Sequence, residues 1–289
     1  MMNPYKTDPK EIPTTDIYAD VPLYSRYYPK PDDFRVNFQH INSQTTDSAS
    51  IISLCTEEIQ IYPANERGRD IFALRGMIVK SSHLHARNGT TCIEINYSYA
   101  DANEIRAITL AKTALNGVRV PEIYFAGKIN GRQVLVQERL PGVGLSVAWP
   151  YLSKDQRESY KKQAREILHQ LHTLKPTENL QTRSHIVSDP NILVNSRINP
   201  LEGEILFSSD NHNPDISFMH NDFTTSNCIV NSSTIIGLID WEMAGYFGDV
   251  HRRIRTPQRE HFVNAHLRED ELQDIMFWNN LYDVYESES

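Results

Sequence analysis

The stretch MHNDFTTSNCIVNSSTIIGLIDWEMAG, Met219 to Gly245, constrains this chain more than any other. It reads as two short apolar strands, CIV and TIIGLID, with its polar groups gathered at the strand ends. A two-strand hairpin returns the chain to its starting point, so Asp222 and Asn227, which precede the first strand, meet Asp240 at the end of the second. Two carboxylates and an amide at one end of an apolar hairpin would suit a metal–nucleotide site. Phosphoryl transfer needs a carboxylate to orient the attacking hydroxyl, oxygen ligands for magnesium, and a cation for the nucleotide phosphates. Lys80, at the end of the apolar strand GMIVK, offers the cation, and Glu104 on a following helix is placed to fix its ammonium.

The rest of the chain divides around that hairpin. Residues 1–50 are rich in Pro, Asp, Thr and Ser without a sustained period, and read as an extended or partly disordered arm. Residues 51–140 carry strand patterns at EEIQIYP, DIFALRG, MIVKSS, TCIEINY, EIYFAGKI and RQVLVQERL, with Asn88-Gly89 and Asn130-Gly131 as hairpin turns. One helix, ADANEIRAITLAKTAL, interrupts them, with Asp101 in position to cap it. The economical reading is a five-stranded antiparallel sheet with one inserted helix. Residues 141–289 begin at Pro141-Gly142 and change character. Ser153 and Gln156 form a capping box, and Tyr160, Ala164, Ile167, Leu168, Leu171 and Leu174 stripe a long helix. EDELQDIMFWNNLYDVY supplies a terminal amphipathic helix. The expected class is α+β, with a small antiparallel β lobe and a larger, mainly helical lobe.

Charge and cysteines narrow the partners. A net charge of -8 without a basic run argues against nucleic acid. Cys55, Cys92 and Cys228 are three in number and lack any CxxC pair, so neither a disulfide framework nor a zinc site is indicated, and a reducing, cytoplasmic setting is expected. With no apolar leader and no apolar run of membrane-spanning length, neither a signal peptide nor a membrane contact is expected, and the sequons at Asn88, Asn96 and Asn231 are read as accidental.

Taken together, HNDFTTSN, IDWEMAG, Lys80 and Glu104 resemble the aminoglycoside phosphotransferase and choline kinase-like branch of the protein-kinase-like fold. VLVQERLPG is similar to the linker strand of that family and ILHQLHTLK to its Leu-His helix, so the likeness runs from about Glu58 to Gly248. VPEIY and DWEMAGYF further resemble divergent fungal members. The resemblance implies a two-lobed kinase-like fold and an ATP- and magnesium-dependent phosphotransferase acting on a hydroxyl of a small molecule. It implies Asp222 as catalytic base, Asn227 and Asp240 as magnesium ligands, and Lys80, held by Glu104, on the α and β phosphates. Backbone groups from Glu138 to Leu140 would hold adenine. His220 would brace its loop, and Trp241 and Met243 would pack beneath the site. His169 and His172, three apart on a helix, lack a third metal ligand.

The departures carry information too. YPANERGRD, in the place of a glycine-rich phosphate loop, has one glycine, Gly68. Trp-Glu follows Asp240 and no Ala-Pro-Glu appears, which disfavours a peptide-binding protein kinase. The alternative is a pseudokinase-like binding module, or a member recruited to non-kinase chemistry on a natural product. For an enzyme, the negative charge and Asp210, Asp215, Glu242 and Asp249 near the expected mouth favour an amine-bearing acceptor.

Overall fold

The protein is seen here in a computed structural model that describes residues 27, 51–62, 69–82, 95–176, 184–193, 198, 200, 203–204, 207, 216–247 and 269–281. The Asn88-Gly89 turn, Cys92, Asp210, Asp215 and Asp249 lie outside them. Five strands, β1 (Gln60–Tyr62), β2 (Asp70–Leu74), β3 (Met77–Ser81), β4 (Ile123–Ile129) and β5 (Arg132–Glu138), form an antiparallel sheet in the order β1-β2-β3-β5-β4. Asn130 and Gly131 turn β4 into β5 with φ of 51° and 80°, the pair of positive angles a type I′ turn requires. Alternation along β3 decides what faces where. Met77 and Val79 pack with Phe72, Val134 and Val136 on the face covered by Ile51 and Cys55. Ile78 and Lys80 therefore point the other way, alongside Ile71 and Gln137, into a cleft.

Two expectations fail between β3 and β4. The described part of TCIEINY, Ile95 to Tyr97, is no strand and leads straight into helix α1 (Ser98–Ala114). That helix starts before Asp101, because Asn96 Oδ1 already accepts the Ser98 N–H at 3.0 Å. Asp101 is released from capping and lies buried inside the helix, where Gln133 Nε2 donates to it at 2.8 Å.

Beyond the linker come β6 (Val143–Gly144), α2 (Leu145–Ala148), α3 (Lys154–His172), β7 (Ser184–His185), β8 (Phe218–Met219), β9 (Cys228–Asn231), β10 (Thr234–Leu238), β11 (Gly245–Tyr246) and α4 (Glu269–Asn279). Two three-stranded sheets, ordered β10-β9-β6 and β7-β11-β8, frame the Asp222 loop. Helix α3 opens with the Ser153–Gln156 capping box and buries Tyr160, Ala164, Ile167, Leu168 and Leu171. Its Gln163 stitches the hairpin down, donating to Ser233 O and accepting the Ile235 N–H, each at 2.8 Å. Ala107, Ile108 and Ala111 of α1 belong to the same apolar core as α3 and the hairpin, so the two lobes share one interior.

The loop is held from below and behind. His220 is fully buried, its Nδ1 accepting the Asp222 N–H at 3.3 Å and its Nε2 facing Ile239 O at 3.0 Å. It packs on Trp241, with ring centres 4.4 Å apart. From behind, Asp274 of α4 accepts from Trp149, Arg157 and Lys161, and Trp278 rests 6.3 Å from the Phe223 ring.

Two outcomes follow. Ser153→Ala removes half of the capping box and should cost about 1 kcal/mol, whereas Leu168→Ala in the α3 core should cost about 2–5 kcal/mol, both read from melting curves. Burial holds His220 neutral, its pKa lowered from 6.5 to about 4. A depressed pKa stabilises above the unfolded value, so stability should be lost as pH falls from about 6.5 through 4, by on the order of 3 kcal/mol, and His220→Asn should blunt that loss.

Candidate active site

The carboxylate of Glu104, fully buried on the first turns of α1, takes the Lys80 ammonium on both oxygens, at 3.0 and 2.9 Å. The same ammonium reaches Asp240 Oδ1 at 2.8 Å, joining the β lobe to the end of the hairpin. Lys80 is 6% exposed, and burial, which disfavours its charge, is outweighed by Asp240 and Glu104, so its pKa is raised. Burial likewise drives Glu104 upward, against the pull of Lys80. Asp240 also meets a burial penalty, yet Lys80 overcomes it and holds the carboxylate below its usual range. Asp240 stands at φ 65°, in the left-handed region that aspartate tolerates better than most residues.

Asp222 and Asn227 form the second half of the site. The Asn227 Nδ2 donates to the backbone oxygen and to Oδ2 of Asp222, both at 2.8 Å. That leaves the Asn227 amide oxygen as its acceptor, and Asn227 and Asp240 line one cleft with Lys80. The cleft, of about 170 Å³, is roofed by Ile71 and Ile78 and floored by Ile229 and Ile239. Leu140 also lines it, and its N–H has no partner among the described residues. Glu138 differs from it: its N–H is taken by Glu122 O at 2.8 Å and its side chain is paired with Arg119.

The residues that hold the set together carry little signal in the sequence. Arg69, 6% exposed, lies 2.6 Å from Asp101 and 3.7 Å from Glu242, with its guanidinium 4.2 Å from the centre of the Tyr97 ring. Asn103, fully buried, donates to Glu242 O at 2.9 Å and Ala244 O at 2.8 Å and accepts the Val187 N–H at 2.8 Å, so α1 is bonded to the segment after Asp240. A signal was present in part, since Asp101 and Glu104 are three apart and share a helix face. His172 bonds Ser217 and Lys175, and Glu104, Asp240 and Glu242 form the one group of three possible metal-ligating side chains among the described residues.

The donors fit magnesium. Asp101, Glu104, Asp240 and Glu242 face two cations, Lys80 and Arg69, so this corner keeps an excess of negative charge that a divalent ion would balance. Glu104 is spent on Lys80, which leaves Asp240 and the Asn227 oxygen as hard ligands opening on the cleft.

Residues 98–275 match the profile of a family described as "Phosphotransferase enzyme family". No curated protein sequence matches the chain. Among solved structures, the streptomycin–ATP–APH(2″)-IIa complex is 13% identical, with 76% of this chain and 78% of that one covered and a TM-score of 0.46. A thermostable mutant of APH(4)-Ia with ADP and hygromycin B is 14% identical, covering 83% and 89% at a TM-score of 0.45. Macrolide 2′-phosphotransferase MphH from Brachybacterium faecium is 16% identical, covering 81% of each chain at a TM-score of 0.44. Because the profile match spans well over half of the sequence, from α1 through the Asp222–Asp240 hairpin into α4, the chain belongs to the phosphotransferase enzyme family, here with an α+β architecture of a small antiparallel β lobe and a mainly helical lobe.

Proposed function

We propose that this kinase transfers the γ-phosphoryl group of ATP, in the presence of magnesium, to a hydroxyl group of a small molecule, with Asp222 as the catalytic base. The observation that carries the reading is the Lys80 ammonium shared between Glu104 and Asp240 at one end of an apolar cleft, beside the Asn227–Asp222 pair. Lys80, buried and kept charged, would hold the α and β phosphates. Glu104 orients it. Asp240 and Asn227 would hold magnesium, which when bound supplies neutralisation of phosphate charge. Asp222, its Oδ2 fixed by Asn227, would accept the proton of the attacking hydroxyl and orient that oxygen in line. The Leu140 N–H and the Glu138 backbone carbonyl are the linker groups for adenine. A binding module without turnover has no use for this oriented base. Glu242, its side chain 26% exposed beside the site, supports an acceptor that carries an amine.

The direct test is ADP release on a panel of small alcohols, alongside melting shifts with ATP with and without magnesium. Asp222→Asn should leave magnesium–ATP binding nearly intact and lower turnover by roughly 10² or more, while Asp240→Asn should weaken the magnesium-dependent part of binding. Wild-type turnover by Asp222→Asn would end the mechanism. A better rate with acidic acceptors than with amines would reverse the acceptor assignment.

Lys80→Ala separates structure from function. It leaves Glu104 buried and unpaired, at a cost of roughly 3–5 kcal/mol. Adding Glu104→Gln should recover much of the melting temperature yet none of the lost ATP affinity, with adenosine binding similar in all three proteins. ATP affinity restored together with stability would show Lys80 to be structural only.

A further inference from the structure

Tyr27, the described residue of the N-terminal arm, is built into the cleft. It is 7% exposed and forms an antiparallel bridge with Gly142 of the linker, donating its N–H to Gly142 O and accepting the Gly142 N–H, both at 2.8 Å. The Arg139 guanidinium lies 4.5 Å from the centre of its ring and fixes the ring's plane. Gly142 has little room to move: its φ is 124°, and a Cβ there would come within 2.6 Å of Val230 O. The bridge is thus anchored to β9, and Tyr27 lines the same cleft as Lys80, Leu140 and Asp240.

We infer, on the strength of the function proposed above, that Tyr27 is a nucleotide-binding residue: an aromatic wall that closes the base pocket on its linker side. The pocket's other apolar walls, Ile71, Ile78, Ile229 and Ile239, are aliphatic, so Tyr27 is the side chain suited to an aromatic base. Because Tyr27 lies far from the linker in sequence, formation of the Tyr27–Gly142 bridge and nucleotide binding strengthen each other by the same factor. Tyr27 is then part of the ATP site.

The test is calorimetric titration of the full-length protein with magnesium–ATP and with ADP, for the wild type, Tyr27→Ala and Tyr27→Leu, with melting curves in the absence of nucleotide. The Ala variant should bind both nucleotides roughly tenfold more weakly, the scale of one lost base–aromatic contact. The Leu variant, which keeps apolar volume, should show a smaller loss and a near-native melt. Hydrogen exchange at the Gly142 amide should slow further when ADP is bound to the wild type. Unchanged affinity in a folded Leu variant and in Ala overturns the assignment, and tighter binding overturns it in favour of an occluding strap. A wild type that binds neither nucleotide overturns the proposed ATP-dependent function itself, a result visible before any variant is made.

Discussion

The structure depends on one ammonium. Lys80 meets Glu104 from α1 on one side and Asp240 from the hairpin on the other, so sheet, helix and hairpin must converge to within hydrogen-bond reach of a single nitrogen. Burying such a group is costly unless every charge is answered, and a removed partner leaves the others stranded. That requirement explains features otherwise unconnected: the tight seat of α1, the polar first turns on an otherwise alanine-lined face, and the left-handed backbone at Asp240. An arrangement so poorly suited to stability alone marks a candidate functional site, and under the function proposed above it would face phosphates and a cation.

Around that contact, backbone groups are fixed by side-chain amides rather than by regular strands. Asn103 serves the segment after Asp240, Asn227 serves Asp222, and Asn221, at φ 67°, donates to Met243 O at 3.0 Å. Each amide both gives and accepts, so it can tie a loop to two places at once. Histidine contributes in the same way, and burial keeps His220 neutral so that Nδ1 can accept.

What could be read in advance was whatever rests on local period or on chain return. The apolar run GMIVK marked β3 with Lys80 near its end, the Ser153–Gln156 spacing marked the start of α3, and the return of the hairpin put Asp222, Asn227 and Asp240 at one end. Harder to read were contacts that cross the chain. Asp101 looks like a cap because an acid in a first turn is favourable there, and only the Asn96 contact and the buried Arg69 show that it has another partner. Asn103 carries no periodic signal, since a buried asparagine is defined by what lies opposite it. Tyr27 sits in a segment whose composition reads as unstructured, and its bridge to Gly142 joins residues far apart in sequence.

The shared core between α1 and the second lobe bears on control. Where a helix carrying the glutamate can swing outward, a kinase can be turned off by letting it go. Here Ala107, Ile108 and Ala111 are packed among α3 and the hairpin, and Asn103 is bonded across, so moving α1 would open the interior to water and break three hydrogen bonds. Displacing α1 therefore carries a cost in buried apolar surface and hydrogen bonds to the backbone beyond the loss of the Glu104–Lys80 pair itself. The Lys80–Glu104 contact is thus held in place by packing as well as by charge, and it should resist displacement as firmly as the core around it.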